Sequence, residues 1–428
     1  MKIDFDSLTI QKTREALFRK EFSVRELITA SLLRIKERNG DIHAYLEIFP
    51  DALEEADKAD ERLQNGDPAP LLGIPFAIKD NILISGKEST SGSKILSGFK
   101  APYDATVISL LKKAGAIFVG RTNMDEFAMG SSTENSAFGA TKNPHDITRV
   151  PGGSSGGSAA ALAMGGVLGA LGSDTGGSIR QPASFTGVVG FKGTYGSVSR
   201  YGLMALASSF DQIGPFAKNV SDAELIHNII SAHDAMDSTS IPESLRKNKR
   251  KEKGIIGVPR DFLKEGVDAE VLENFESSLV RLQGAGYTLK DITLPNVKAS
   301  LAVYYVLMPA EASSNLARYD GIRYGLSLQG ENSIASFRKT RGEGFGREVR
   351  RRIILGTYVL SAGYYDAYYK KASDVRELIT KDFEKAFEGV DAIATPTSPF
   401  PAFPLGEKAS DPLAMYLADI FTVPANLA

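Results

Sequence analysis

The sequence predicts an α/β fold on a mixed or mainly parallel sheet, and three observations predict it. Segments with apolar residues at helical spacing recur, several of them opened by a capping signal. Between them lie short, almost wholly apolar runs of strand length. The two kinds alternate through the first half of the chain, as in βα units and unlike a bundle or a sandwich. With 428 residues, 43% of them apolar, there is material for one large core or two.

Taken in order, Ser23-Val24-Arg25-Glu26 is a capping box, and Leu27, Ile28, Leu32 and Ile35 continue one helical face to about residue 39. A second helix is predicted over 51–64, stopped by Asn65-Gly66. Residues 73–81 read as a strand, with Ile74, Phe76 and Ile78 on one face and Ala77 and Lys79 on the other. Asp104 can cap a helix that Gly115 closes, and 117–120 is a buried strand. Residues 158–164 read as helix, 167–171 as extended, and another helix follows Ser178. Ser221-Asp222-Ala223-Glu224 is a further capping box. The basic run 246–251 reads as a solvated linker, with a binding patch as the alternative. Beyond it come a strand at 255–258, helices over 268–283, through Tyr304 and Tyr305 to residue 316, over 347–354 and over 374–387, and a strand at 390–395. There is no internal repeat. A boundary near residue 250 separates an N-terminal core from a second half.

Composition closes several routes. A net charge of −2 leaves no broad basic face for a polyanion. The absence of cysteine excludes disulfides, thiolate metal sites and a cysteine nucleophile. The four histidines, His43, His145, His227 and His233, show no metal-ligand spacing. The N-terminus lacks the apolar core of a signal peptide, and the weakly polar run 159–172 is too short to span a bilayer. A soluble cytoplasmic protein is the expectation.

The chemistry concentrates at 151–192. Two glycine clusters there hold small hydroxyls: Ser154, Ser155 and Ser158 in the first, Ser173, Thr175 and Ser178 in the second. Glycine admits positive φ and close approach, so such loops offer nucleophiles and free N–H donors. The stretch contains neither GxxxxGK[ST] nor GxGxxG, which removes the phosphate-binding readings. GxSxG is matched at Ser154 and at Ser155, but a serine hydrolase would then need His227 or His233, both in or beside an ordinary amphipathic helix. A serine activated by a neutral lysine needs no histidine, and Lys79 ends a strand apolar enough to bury it. A lysine snorkelling from a strand end is the alternative.

The segments Gly152-Gly153-Ser154-Ser155-Gly156-Gly157-Ser158 and Gly172-Ser173-Asp174-Thr175-Gly176-Gly177-Ser178-Ile179-Arg180 closely resemble the amidase signature family. The Gly73–Asn81 and Gly120–Ala128 stretches resemble its motifs too, and the likeness spans essentially the whole chain. It implies a central mixed β-sheet covered by helices on both faces, in a single domain whose 60–220 core carries the catalytic residues and whose 250–428 half completes the pocket. It implies Ser178 as nucleophile, Ser154 as relay through a cis Gly153–Ser154 peptide, Lys79 as general base, and the N–H groups of Thr175, Gly176, Gly177 and Ser178 as oxyanion donors.

Within the family the chain looks most like the A subunits of bacterial aspartyl/glutamyl-tRNA amidotransferases. The stretches that carry this include Asp125-Glu126-Phe127-Ala128-Met129-Gly130, Arg351-Arg352-Ile353-Ile354-Leu355-Gly356 and Tyr416-Leu417-Ala418-Asp419-Ile420. That likeness implies glutamine as substrate, its α-carboxylate on Arg352 and its α-amino group on Asp419. Without it, Arg352 reads as a surface cation in a basic helix. It further implies B and C partner subunits, with ammonia used in a partner to convert Glu-tRNA(Gln) or Asp-tRNA(Asn). tRNA would be met mainly through the partner subunit, which would also use ATP and Mg²⁺, and this chain would hold no cofactor or metal of its own. A stand-alone amidase on a small amide, or a non-catalytic scaffold, are the alternatives. Two departures stand out. Gly193 occupies a proline position of the pattern, and the chain ends at Ala428 where the pattern runs on, so a truncated C-terminus is expected.

Overall fold

The computed structural model describes residues 3–246, 254–264 and 266–428. Of the basic run at 246–251 only Arg246 falls among them. The rest of that run, and the boundary near residue 250, lie outside the described residues.

Six strands form a mixed sheet: β1 (Tyr45–Ile48), β2 (Pro75–Lys79), β3 (Ile117–Thr122), β4 (Gly169–Asp174), β5 (Val189–Gly190) and β6 (Gln212–Ala217), in the order β1-β3-β2-β4-β6-β5. The middle three, β3, β2 and β4, run parallel, while β1 and β6 flank them antiparallel. The alternation of β2 sorts its side chains as expected. Phe76 and Ile78 pack under the helices Ile10–Phe18, Thr106–Lys113 and Val220–Ile230. Ala77 packs on the opposite face with Val24–Ile42, Ala52–Gln64 and Gly156–Ala163. Each large apolar side chain buried this way contributes about 1.5–3 kcal/mol.

Local signals succeed or fail for identifiable reasons. Ser23 and Glu26 form the reciprocal capping box, and the helix runs to Ile42, where His43 adopts left-handed φ. The Ser221 box does not form: Asn219 accepts from the Asp222 N–H two residues earlier and starts the helix at Val220. Nor does Asp104 cap its helix, because its carboxylate accepts from the Ser85 N–H and pairs with Lys112. The strand predicted at 167–171 begins at Gly169 and continues through Gly172, Ser173 and Asp174, delivering the second glycine cluster from a strand end.

The second half builds its own three-stranded parallel sheet, β7 (Ile255–Val258), β8 (Thr288–Asp291) and β9 (Ala392–Ile393), in the order β8-β7-β9. Its helices Ser300–Asn315, Arg347–Val359 and Lys371–Phe387 bury Tyr304, Leu307, Val349 and Ile379 against Met124, Phe127 and Met129 of the first half. Helix Arg347–Val359 lies so close to Ser300–Asn315 that a Cβ on Gly356 would overlap the Pro309 carbonyl. That approach carries Arg352, one turn earlier, inward. Among the described residues, no helix is long and apolar enough to cross a membrane.

Candidate active site

Lys79 is the last residue of β2, and its side chain is wholly buried. Its Nζ lies 2.8 Å from Ser154 Oγ, 2.8 Å from Ser155 Oγ and 2.9 Å from Ser173 Oγ. The parallel pairing of β2 with β4, Ile78 opposite Leu171, brings Ser173 to the lysine. The turn before helix Gly156–Ala163 brings the other two serines, and its Gly153–Ser154 peptide is cis. Burial pushes the Lys79 pKa from 10.5 down to about 7, against the pull of Asp125, Asp174 and Asp211. Desolvation wins because none of those carboxylates hydrogen-bonds the amine.

The three hydroxyls are not equivalent. Ser155 spends its proton on the Ser173 carbonyl, 3.1 Å away. Ser173 Oγ also accepts from Asn81 Nδ2 at 3.0 Å. Ser154 Oγ has Lys79 as its hydrogen-bond partner among the described residues, so its proton is free to meet a neutral amine. No histidine among the described residues hydrogen-bonds Ser154, Ser155 or Ser178. His227 packs edge-on against Phe191 and His145 bonds the Thr186 carbonyl.

Ser178 follows the second glycine cluster, whose loop lies against the first through the Ser155 N–H on the Ser178 carbonyl, 3.2 Å. Ser154 and Ser155 have no exposed surface, whereas Ser178 retains 7%. Of the three serines, only Ser178 can meet a molecule arriving from solvent. The loop leading to it is held by its carbonyls and side chains. Thr175 Oγ1 donates to Asp211, Thr422 Oγ1 donates to the Gly176 carbonyl at 2.6 Å, and Gln181 N–H donates to the Gly177 carbonyl. The N–H groups of Gly176, Gly177 and Ser178 have no acceptor among the described residues. Gly177 has φ +150°, and a Cβ there would strike Thr422 and Asp419. A Cβ on Gly176 would sit 2.8 Å from the Tyr304 ring.

Asp174 anchors the loop from below. Burial would raise its pKa, but the Arg180 guanidinium, bonded to both carboxylate oxygens, holds it well under the usual carboxylate range. Arg180 Nη1 also reaches the Thr422 carbonyl at 3.1 Å, tying the C-terminal segment to the same loop.

Arg352 and Asp419 are both buried, at 4% and 7% exposure. The surface reading of Arg352 is therefore corrected: Arg351 is the solvent-facing member of the pair, and Arg352 turns inward over the Tyr305 and Tyr416 rings with its Nε on Glu348 at 2.8 Å. Asp419 Oδ2 accepts from Ser131 at 2.6 Å, while Oδ1 has no partner among the described residues. Burial raises the Asp419 pKa to about 7. The structure thus gathers Lys79, Ser154, Ser178, Thr175, Gly176, Gly177 and Asp419 about one loop, with Arg352 joined to it through Tyr305 and Tyr304.

Sequence reasoning passed over Ser155 and Ser173 as lysine partners, Asn81, Ser131 and Gln181. All lie inside or directly beside the quoted motifs, but their roles depend on which distant segments the fold brings together rather than on spacing.

A family model described as Amidase matches residues 26–428. The chain is 56% identical over 429 residues to the A subunit of the glutamyl-tRNA(Gln) amidotransferase of Thermoanaerobacter pseudethanolicus, covering 99% of this chain and 88% of that protein. It is 54% identical to the same-named protein of Carboxydothermus hydrogenoformans, covering 98% and 88%. The crystal structure of the glutamyl-tRNA(Gln) amidotransferase A subunit from Thermotoga maritima superposes with a TM-score of 0.80 at 43% identity, covering 100% of this chain and 87% of that one.

Proposed function

Because the chain belongs to the amidase family, we propose that it is the glutamine-hydrolysing component of a tRNA-dependent amidotransferase, working through Ser178, Ser154 and Lys79. The observation that carries this reading is the buried Lys79 amine on the Ser154 hydroxyl, beside the one serine of the set that reaches solvent.

In this mechanism neutral Lys79 takes the Ser154 proton as Ser154 takes that of Ser178. Ser178 Oγ attacks the side-chain amide carbon of glutamine, and the oxyanion faces the N–H groups of Thr175, Gly176, Gly177 and Ser178. Each such donor is worth roughly 100- to 1000-fold in rate. Collapse breaks the C–N bond, the departing nitrogen takes the proton back through Ser154, and water then hydrolyses the Ser178 ester. The Arg352 guanidinium suits the substrate carboxylate and the free Asp419 Oδ1 suits its ammonium. Ammonia passes to a partner subunit, which uses ATP and Mg²⁺ to amidate Glu-tRNA(Gln) or Asp-tRNA(Asn), and a small third subunit completes a cytoplasmic complex. Relatives named as the A subunit of a glutamyl-tRNA(Gln) amidotransferase support the Glu-tRNA(Gln) branch.

The test is mass spectrometry of the glutamine-treated protein, with ammonia release measured with and without partner subunits. A glutamyl adduct confined to Ser178 is expected. An adduct elsewhere would refute the mechanism, and faster turnover of simple amides than of glutamine would favour a stand-alone amidase.

A further inference from the structure

One buried hydrogen-bonded path joins the two ends of the site. Asp419 Oδ2 accepts from the Ser131 hydroxyl at 2.6 Å. The Ser131 carbonyl accepts from Gln181 Nε2 at 3.0 Å, and Gln181 Oε1 accepts from the Gly153 N–H at 2.9 Å. Gly153 precedes Ser154, whose Oγ meets Lys79 at 2.8 Å. Gln181 also donates its own N–H to the Gly177 carbonyl at 2.8 Å, so this one residue touches the loops before Ser154 and before Ser178.

Only a glutamine-length amide fits this place. A backbone N–H must meet its oxygen and a backbone carbonyl its nitrogen, which fixes the amide orientation without ambiguity. An ionised glutamate could serve the first partner and not the second, asparagine is shorter, and an apolar side chain serves neither. Gln181 has no exposed surface, and a Cβ on Gly152 would overlap its Oε1, so the relay loop is packed directly against it. The Gly153 N–H and Ser131 carbonyl it serves are buried groups, costly to leave unpaired.

We propose that Gln181 is a positioning residue that couples recognition of the substrate ammonium at Asp419 to the placement of Ser154, so that an amide bearing that ammonium is turned over faster rather than only bound more tightly. This rests on the reading that Asp419 receives the ammonium. An ammonium on Oδ1 keeps the carboxylate ionised, which strengthens its bond from Ser131. Ser131 then holds its own carbonyl in register for Gln181, and Gln181 holds the peptide that carries Ser154. With an uncharged substrate end, the Ser131 bond weakens and the path slackens. Misplacing a relay group by as little as 1 Å costs roughly 100-fold in rate.

The experiment compares glutamine with glutaramate, the same amide and carboxylate without the amine, in the assembled enzyme. In the wild type, kcat is expected to favour glutamine. In Gln181→Met the ratio of the two kcat values is expected to fall about tenfold or more, while KM for glutamine stays within about threefold. Ser131→Ala, which leaves both Gln181 hydrogen bonds in place, is expected to collapse the same ratio, and thermal melts report whether each variant folds. A general loss of packing would lower both kcat values together and leave their ratio unchanged, which would overturn the proposal. So would a rise in KM alone. Equal kcat and KM for the two substrates in the wild type would instead sink the reading of Asp419 itself.

Discussion

Replacing Lys79 by methionine tests the buried amine through stability as well as through activity. Methionine keeps the length and removes the charge. In the unfolded chain the lysine takes up its proton at 10.5, in the folded protein only at about 7. Between those values the unfolded state binds more protons, so wild-type stability falls as pH falls, and the loss is complete below about 7. At about 1.4 kcal/mol per unit, the full penalty is about 5 kcal/mol. Against this, the thioether would strand the Ser154 hydroxyl and weaken the contacts of Ser155 and Ser173, a loss of roughly 2–3 kcal/mol. Lys79→Met should therefore be more stable than wild type by about 2 kcal/mol near pH 6 and less stable by about 2 kcal/mol near pH 10, crossing over in between. Urea unfolding followed by circular dichroism across that range measures the difference; titrations remote from Lys79 cancel between the two proteins, whereas that of Asp125, whose pKa the lysine charge lowers, does not. Glutaminase activity should drop by at least about 1000-fold. A stability difference flat with pH would refute the depressed pKa, and full activity in a folded variant would refute the role of Lys79.

Other outcomes follow from the same geometry. The kcat/KM for glutamine should rise with pH through about 7, where Lys79 loses its proton and Asp419 becomes ionised; a profile flat from about pH 5.5 to 8.5 would contradict both assignments. Arg352→Lys keeps the charge but loses the planar fork, and should raise KM for glutamine about tenfold or more with a smaller effect on kcat, read from initial rates. Gly177→Ala forces a Cβ into Thr422 and Asp419 at φ +150°, and should cost activity together with about 1–3 kcal/mol of stability in melts.

What the sequence made legible was local. Ser23 and Glu26 act within one turn of each other, so their box could be read directly, and the two faces of β2 follow from the strand period. The glycine-serine clusters announced crowded backbone and the lysine motif announced burial, but not which hydroxyls surround the amine. Lys79 meets Ser173 across 94 residues because β2 and β4 are neighbours, and a sheet order is not a spacing. Arg352 ends a run of arginines broken by Glu348 and Val349, a stretch that looks solvated. Its burial comes from Gly356 lying on Pro309, a contact between two helices. The Ser221 signal failed because Asn219, two residues earlier, is an equally good cap and starts the helix first.

The arrangement around Lys79 explains how a lysine can be kept as a base at all. Three carboxylates stand near enough to raise its pKa, yet each is engaged elsewhere. Asp125 accepts from the Thr133 and Asn135 N–H groups, Asp174 from Arg180 and Asn426, and Asp211 from Thr175 and the Leu206 and Ala207 N–H groups. What touches the amine is three neutral hydroxyls and, at 3.4 Å, the Ser173 carbonyl, none of which favours the charged form as a carboxylate would. Moving one carboxylate into contact should undo this. Ser173→Asp would place an anion where a hydroxyl now lies 2.9 Å from Nζ, holding the lysine protonated and shifting the acid limb of kcat/KM upward by at least about one pH unit. Ser173→Asn, of the same size but uncharged, separates charge from crowding: it should lower activity without moving the limb. If both variants keep the wild-type pH profile, the proton lost near neutrality does not belong to Lys79.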